Sequence, residues 1–304
     1  MSIFREFFVK EKPVFTGITR GIGGFGFGAG GGAEDAGDIS ATGGEKFTDG
    51  GDTYHVFTSS GSFVVSPDWS PSISVKYLIV GGGGPNGSPT DMTAGGGGGG
   101  VVTGSDGAFD GGSSYTVTFN NPVLGSANGG DTSIVTTPGT LTSGGGAYAP
   151  RSTGGASGSP QSNAGGNAYP YSGSPTNIVN GGGGGAGEIG GNGSSGSGGG
   201  GGGGLACPEF PGPVIGPNLN VPSPEITAFN SAVGPTGLYG GGGGGGTFGT
   251  SHVALGGPGG GGDGGSNGEA GVNYTGGGAG GDYPGTSPTK RYGGKGLVVL
   301  KYSI

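Results

Sequence analysis

Uninterrupted glycine runs constrain this chain more than any other feature. They are Gly81–Gly84, Gly95–Gly100, Gly181–Gly185, Gly198–Gly204, Gly240–Gly246, Gly259–Gly262 and Gly276–Gly278. An interior glycine costs a helix about 1 kcal/mol relative to alanine, so a helical protein is excluded. Collagen requires glycine at every third position, and no such period is present. The chain has 91 Gly in 304 residues, against roughly 7% in ordinary domains. Only 10% of its residues are charged. Two possibilities remain: a flexible Gly/Ser linker, or an ordered fold that builds with bare backbone.

An extended threefold helix repeats every three residues and rises about 3.1 Å per residue, with no internal hydrogen bonds. Rods of this kind can bond to one another, because glycine lets backbones approach closely. Gly198–Gly204 would span roughly 22 Å at that rise. A single rod cannot persist, since fixing the backbone costs about 1–2 kcal/mol per residue. A lattice pinned by strands can. In such a lattice a β-branched side chain in a central run, at Gly200 or Gly243, is expected to hold neighbouring rods apart.

Strand signals flank the runs. Tyr54–Phe57, Ser62–Val65, Val75–Val80, Tyr115–Phe119, Thr132–Thr137 and Gly296–Tyr302 are short, rich in β-branched and aromatic residues, and bounded by Ser, Pro or Gly. The expected fold class is mainly β with polyglycine-II helices: framing strands around Gly-rich rods, and essentially no α-helix. Three segments are expected. Residues 1–28 form a docking peptide, 29–52 a flexible acidic Gly-rich linker, and 53–304 the glycine-rich domain. The docking peptide carries Phe4, Phe7, Phe8 and Phe15 ahead of Phe25 and Phe27, a density of rings with no nearby core to fill.

Net charge is −8. Both ends are basic, while residues 21–289 hold three basic and seventeen acidic side chains. Without a basic stripe, nucleic acid is not an expected partner. No apolar run is long enough to span a membrane, and the N-terminus lacks a continuous apolar core for a signal peptide. The single Cys207 allows no internal disulfide. Motifs for chemistry are weak. Gly21-Ile-Gly-Gly-Phe-Gly26 matches a dinucleotide fingerprint but lacks the strand before it and the helix after it. His55 and His252 have no partners at metal spacing, and no base is placed to activate a serine. No enzyme activity, cofactor or metal is expected.

The residues Phe57-Thr-Ser-Ser-Gly-Ser-Phe-Val-Val and Val75-Lys-Tyr-Leu-Ile-Val-Gly-Gly-Gly-Gly resemble the opening of the glycine-rich domain of phage tail-fibre and related virion proteins. Gly95–Gly100, Ser114-Tyr-Thr-Val-Thr-Phe, Gly129-Gly-Asp-Thr-Ser-Ile and Ser143-Gly-Gly-Gly-Ala continue the pattern. Gly293-Gly-Lys-Gly-Leu-Val-Val-Leu-Lys-Tyr is similar to its closing strand. The later rods resemble the polyglycine-II sandwich of the adhesins of T-even-like long tail fibres, and the N-terminus resembles cyanophage virion proteins. The resemblance implies a tail-fibre or tail-tip protein, assembled in the host cytoplasm and located in the virion. It would contact tail or baseplate proteins through residues 1–28 and a bacterial saccharide or outer-membrane protein through loops between rods, with a homo-oligomer open. The alternative is a purely architectural tail, baseplate or capsid-decoration protein.

If each rod reverses at the next loop, the long connections 147–179 and 205–239 share one end. That places Tyr148, Arg151, Tyr169, Tyr171, Phe210, Phe229 and Tyr239 on a common receptor-binding face. Aromatic and Arg side chains are the usual energetic centres of interfaces.

Overall fold

The computed structural model describes residues 39–87, 93–106, 109–120, 127–149, 152–170, 178–247, 253–282 and 291–304. The docking residues Phe4, Phe7, Phe8 and Phe15, and the loop residues Arg151 and Tyr171, lie outside them. Two five-stranded antiparallel sheets form the frame. The first runs β2(Glu45–Asp49), β3(Asp52–Phe57), β14(Leu297–Tyr302), β5(Val75–Val80), β6(Val101–Asp106). The second runs β1(Ala41–Thr42), β4(Gly61–Val65), β7(Ser114–Phe119), β8(Thr132–Thr136), β9(Gly139–Ser143).

The first sheet is covered on both faces, which explains why β14 and β5 read as continuous apolar runs rather than alternating ones. Phe57, Val75, Ile79, Val298, Leu300 and Tyr302 belong to the core shared with Phe63, Val117 and Ile134 of the second sheet. Tyr54, Val56, Leu78, Val80, Leu297 and Val299 point the other way. Rings fill the centre between the sheets, with Phe63 edge-on to His55 and Phe109 at centroid distances of 5.1 and 5.3 Å.

The linker expected over 29–52 is partly folded, because Ile39 begins the folded unit. Residues 45–57 form a hairpin. Gly50 and Gly51 supply its two-residue turn with φ of 60° and 91°, as a primed turn requires. Phe47 stacks on Tyr54 at 4.8 Å.

Segment 205–239 is not an irregular loop. It opens and closes on a two-residue ladder, β12(Leu205–Ala206) with β13(Leu238–Tyr239). Between them lie α1(Gly212–Ile215), a 3-10 turn (Gly216–Asn218) and α2(Ser223–Val233). The helices bury Phe210, Ile215, Leu219, Phe229 and Val233 against the outer face of the first sheet. The chain is mainly β, and this cap holds the helix found among the described residues.

Between the strands the glycine runs bond with a three-residue period. The N–H groups of Gly95 and Gly98 donate to Gly181 and Gly184, those of Gly96 and Gly99 to Ala279 and Gly276, and those of Gly97 and Gly100 to Ala147 and Gly144. The carbonyls follow the same rule. Those of Gly95 and Gly98 accept from Gly155 and Gly158, those of Gly97 and Gly100 from Gly84 and Gly81, and that of Gly96 from Gly243. Run 95–100 thus has six neighbours, three that it gives to alternating with three that it takes from. This is the hexagonal arrangement that a three-residue-per-turn rod permits. Run 240–246 is enclosed in the same way by 93–96, 180–186, 199–202, 255–257, 259–262 and 278–281. A Cβ on Gly97 would lie 1.9 Å from the Ala156 oxygen, and one on Gly243 1.9 Å from the Ala279 oxygen. Gly200 is different: its Cβ would meet only the Leu255 oxygen, at 3.6 Å. The expectation that a side chain at Gly200 splits the lattice is therefore corrected, because this residue is on the perimeter.

Perimeter rods carry side chains at every third residue, directed outward. Asn128 and Asp131, Ala164 and Asn167, Ile189 and Asn192, Leu255 and Pro258, and Tyr292 and Lys295 are all exposed.

Candidate recognition end

The hydrogen-bond registers give each rod a direction. Gly95 and Gly98 pair with Gly181 and Gly184 in rising order, so these rods are parallel. Gly97 and Gly100 pair with Ala147 and Gly144 in falling order, so those are antiparallel. Traced this way, the lattice has two unlike ends. At the frame end, rods join strands directly: β5 runs into 81–84, 95–100 into β6, 127–130 into β8, β9 into 144–147, and 291–296 into β14. The helical cap is at this end. At the far end the described parts of the rods stop at Gly87, Thr93, Tyr148, Tyr169, Val179, Thr247, Val253, Asp282 and Arg291.

The two long connections therefore lie at opposite ends. Rod 190–193, bonded through Gly190 to Ala164 and through Gly191 to Gly200, adds a reversal that the run lengths concealed. It is short, and Asn192 interrupts it. Residues 167–170 and 178–179 lie at the far end and 205–239 at the frame end. Phe210, Phe229 and Tyr239 are at most 1% exposed. Tyr239 donates its hydroxyl to the Phe210 carbonyl at 2.8 Å. Burial raises its pKa far above the usual phenol value. These three rings pack the cap core and are not a surface for recognition. Tyr148 and Tyr169 do lie at the far end. Tyr169 is 42% exposed on the short ladder β10(Tyr169–Pro170) with β11(Ile178–Val179). Tyr148 is half-buried, and its backbone N–H donates to Asn128 Oδ1 at 3.1 Å. Tyr292, which the sequence reading did not place on the binding face, is 43% exposed at the same end. Its signal was its position immediately before the Gly293-Gly294 pair of a perimeter rod.

Beneath the far-end surface is a buried polar knot. Asn86 donates from Nδ2 to the Gly280 carbonyl at 3.1 Å and to Asp282 Oδ2 at 3.0 Å. Its Oδ1 accepts the Arg291 N–H at 2.8 Å. The Asp282 N–H donates to Thr93 Oγ1 at 2.8 Å, while its Oδ1 accepts from the Gly268 N–H. Burial raises the Asp282 pKa, opposed by the Gly268 and Asn86 hydrogen bonds and by the Arg291 charge. One carboxylate and one amide thereby fix the ends of several rods. Asn180, fully buried at the start of rod 180–186, has no hydrogen-bond partner for either amide atom among the described residues. The hydrogen bonds of Asn86 and Asp282 are what tie these rod ends to one another.

His55 is buried between the sheets, and Cys207 in the cap, where burial pushes its thiol up to about 11. Among the described residues no cluster of three His, Cys, Asp or Glu side chains is placed to hold a metal, and no helix is long and apolar enough to cross a membrane. Comparison with protein-family models, with curated proteins and with solved structures finds no match.

Proposed function

We propose that this chain is a bacteriophage tail-fibre or tail-tip protein that contacts the host surface through its far-end connections. The supporting observation is the asymmetry of the lattice. A double sheet and a helical cap close one end, and at the other end the connections between rods start from rod ends fixed by backbone bonding. Loops on a rigid scaffold are where recognition residues concentrate, and here the described bases of the connections are held by the rods. Tyr148, Tyr169 and Tyr292 supply broad, amphipathic rings there, suited to a bacterial surface saccharide or an outer-membrane protein loop. Residues 1–28 would attach the chain to other tail or baseplate proteins in the virion. The reading needs no catalysis, cofactor or nucleic acid.

The test is adsorption. Alanine at Tyr148 and Tyr169 together is expected to lower particle adsorption at least ten-fold while leaving the melting temperature unchanged, because neither ring belongs to a core cluster. The isolated full chain should also compete with particles for host cells. Unchanged adsorption together with no competition would favour the architectural alternative.

A further inference from the structure

Rod 198–204 breaks the perimeter rule. It lies at the edge of the lattice, yet it is glycine throughout, with no outward side chains. It donates to rods 180–186 and 255–258 and accepts from 190–193 and 240–246. Givers and takers alternate around every enclosed rod, so the two open positions beside it have opposite character. One faces the N–H of Gly200, which has no acceptor among the described residues, and that of Gly203, which reaches the Glu188 carboxylate at 3.4 Å. The other faces the carbonyls of Gly201 and Gly204, which accept no hydrogen bond among the described residues. The apolar side chains of Ile189 on one side and Leu255 on the other flank the strip, 70% and 67% exposed.

We propose that this strip is a self-association surface, on which the same rod of a second copy of the chain docks. The occupant must be free of Cβ atoms at the residues that face the strip, since the lattice spacing admits no others there. It must also be ordered beforehand, because a free glycine peptide would lose most of the gain in becoming a rod. This chain carries such a rod already formed, with the Gly200 donor and the Gly201 and Gly204 acceptors unused among the described residues. The strip has no charge beyond Glu188, so two copies of a −8 chain can meet there with little repulsion. Because one open position gives and the other takes, the donors of one copy meet the acceptors of the next. The contact is head-to-tail, which forms a ring if the rotation closes and a filament if it does not.

Sedimentation of the full chain over a range of concentrations tests this. Wild type should associate reversibly. Gly200→Glu should weaken association at least ten-fold and keep the wild-type melting temperature, since a Cβ there meets nothing closer than 3.6 Å. If that variant fails to fold, the Ile189→Glu, Leu255→Glu double variant carries the same expectation. Wild type that stays monomeric throughout, or folded variants that associate as wild type does, would overturn the proposal.

Discussion

Glycine is required at some positions of this chain and merely present at others, and the difference is geometric. At Gly243 a Cβ would overlap a carbonyl of rod 276–281 that is itself enclosed and cannot retreat. Gly243→Ala is therefore expected to abolish cooperative thermal unfolding of the native state. Gly200→Ala should change stability by less than about 1 kcal/mol, the scale of surface substitutions. Parallel thermal melts read both. A second residue sets a pH dependence. His55 is fully buried, with Nδ1 donating to the Gly43 carbonyl at 2.6 Å and Nε2 facing the Tyr302 hydroxyl at 3.2 Å. Burial, aided by the Lys46 charge, holds its pKa below the usual 6.5 despite the Gly43 bond. A lowered folded pKa means that the stabilisation is present above pH 6.5 and is lost as pH falls through the folded value. Stability measured by denaturant titration should decline over that window, and His55→Gln should flatten the decline. Cys207, with its raised pKa and burial, should resist alkylation at pH 8 until the chain is unfolded.

At the level of elements, the cap and the rods differ in what holds them. Helix α2 presents Phe229 and Val233 to the sheet at a spacing of four, the face an amphipathic helix buries. Truncating a buried Phe costs about 3–5 kcal/mol. Phe229→Ala should therefore lower the denaturation midpoint while far-UV circular dichroism still reports the β frame. Hydrogen bonds between rods contribute only about 0.5–1.5 kcal/mol each, against an ordering cost of about 1–2 kcal/mol per residue. The lattice thus depends on the strands into which its rods run. The framing strands were legible because Val75–Val80 and Leu297–Tyr302 carry long apolar runs. Strand β6 was less so, because Gly104 and Ser105 dilute Val101 and Val102. Helix α2 had its own signals, with Pro224 and Glu225 in the first turn and Gly234 after the last. The surrounding glycine content hid them. The outward pattern, one side chain in three, was present in Asn128/Asp131 and Tyr292/Lys295 and marks perimeter rods. Short rods such as 190–193 carry too few residues to show a period, and their omission inverted the placement of 205–239. Tyr148 and Tyr169 could be placed among the candidates from sequence. That Phe210, Phe229 and Tyr239 point inward depends on long-range packing that no local pattern encodes.

The molecule as a whole joins a conventional apolar core to a body with almost none. Enclosed rods can open only by disrupting their neighbours, so their amides should exchange with the frame. Hydrogen exchange read by mass spectrometry should show Gly95–Gly100 and Gly240–Gly246 protected as strongly as β14, with Gly200 exchanging quickly. Random-coil exchange throughout 240–246 would contradict the packing described. The three-residue period also bears on how such a body can change length. Removing one glycine from an enclosed rod turns everything beyond it by a third of a revolution and exchanges donors for the wrong neighbours. Removing three slides the rod along its axis and leaves every direction as it was. For a gene encoding this lattice, the step by which a rod can be lengthened or shortened in phase is nine nucleotides, not three.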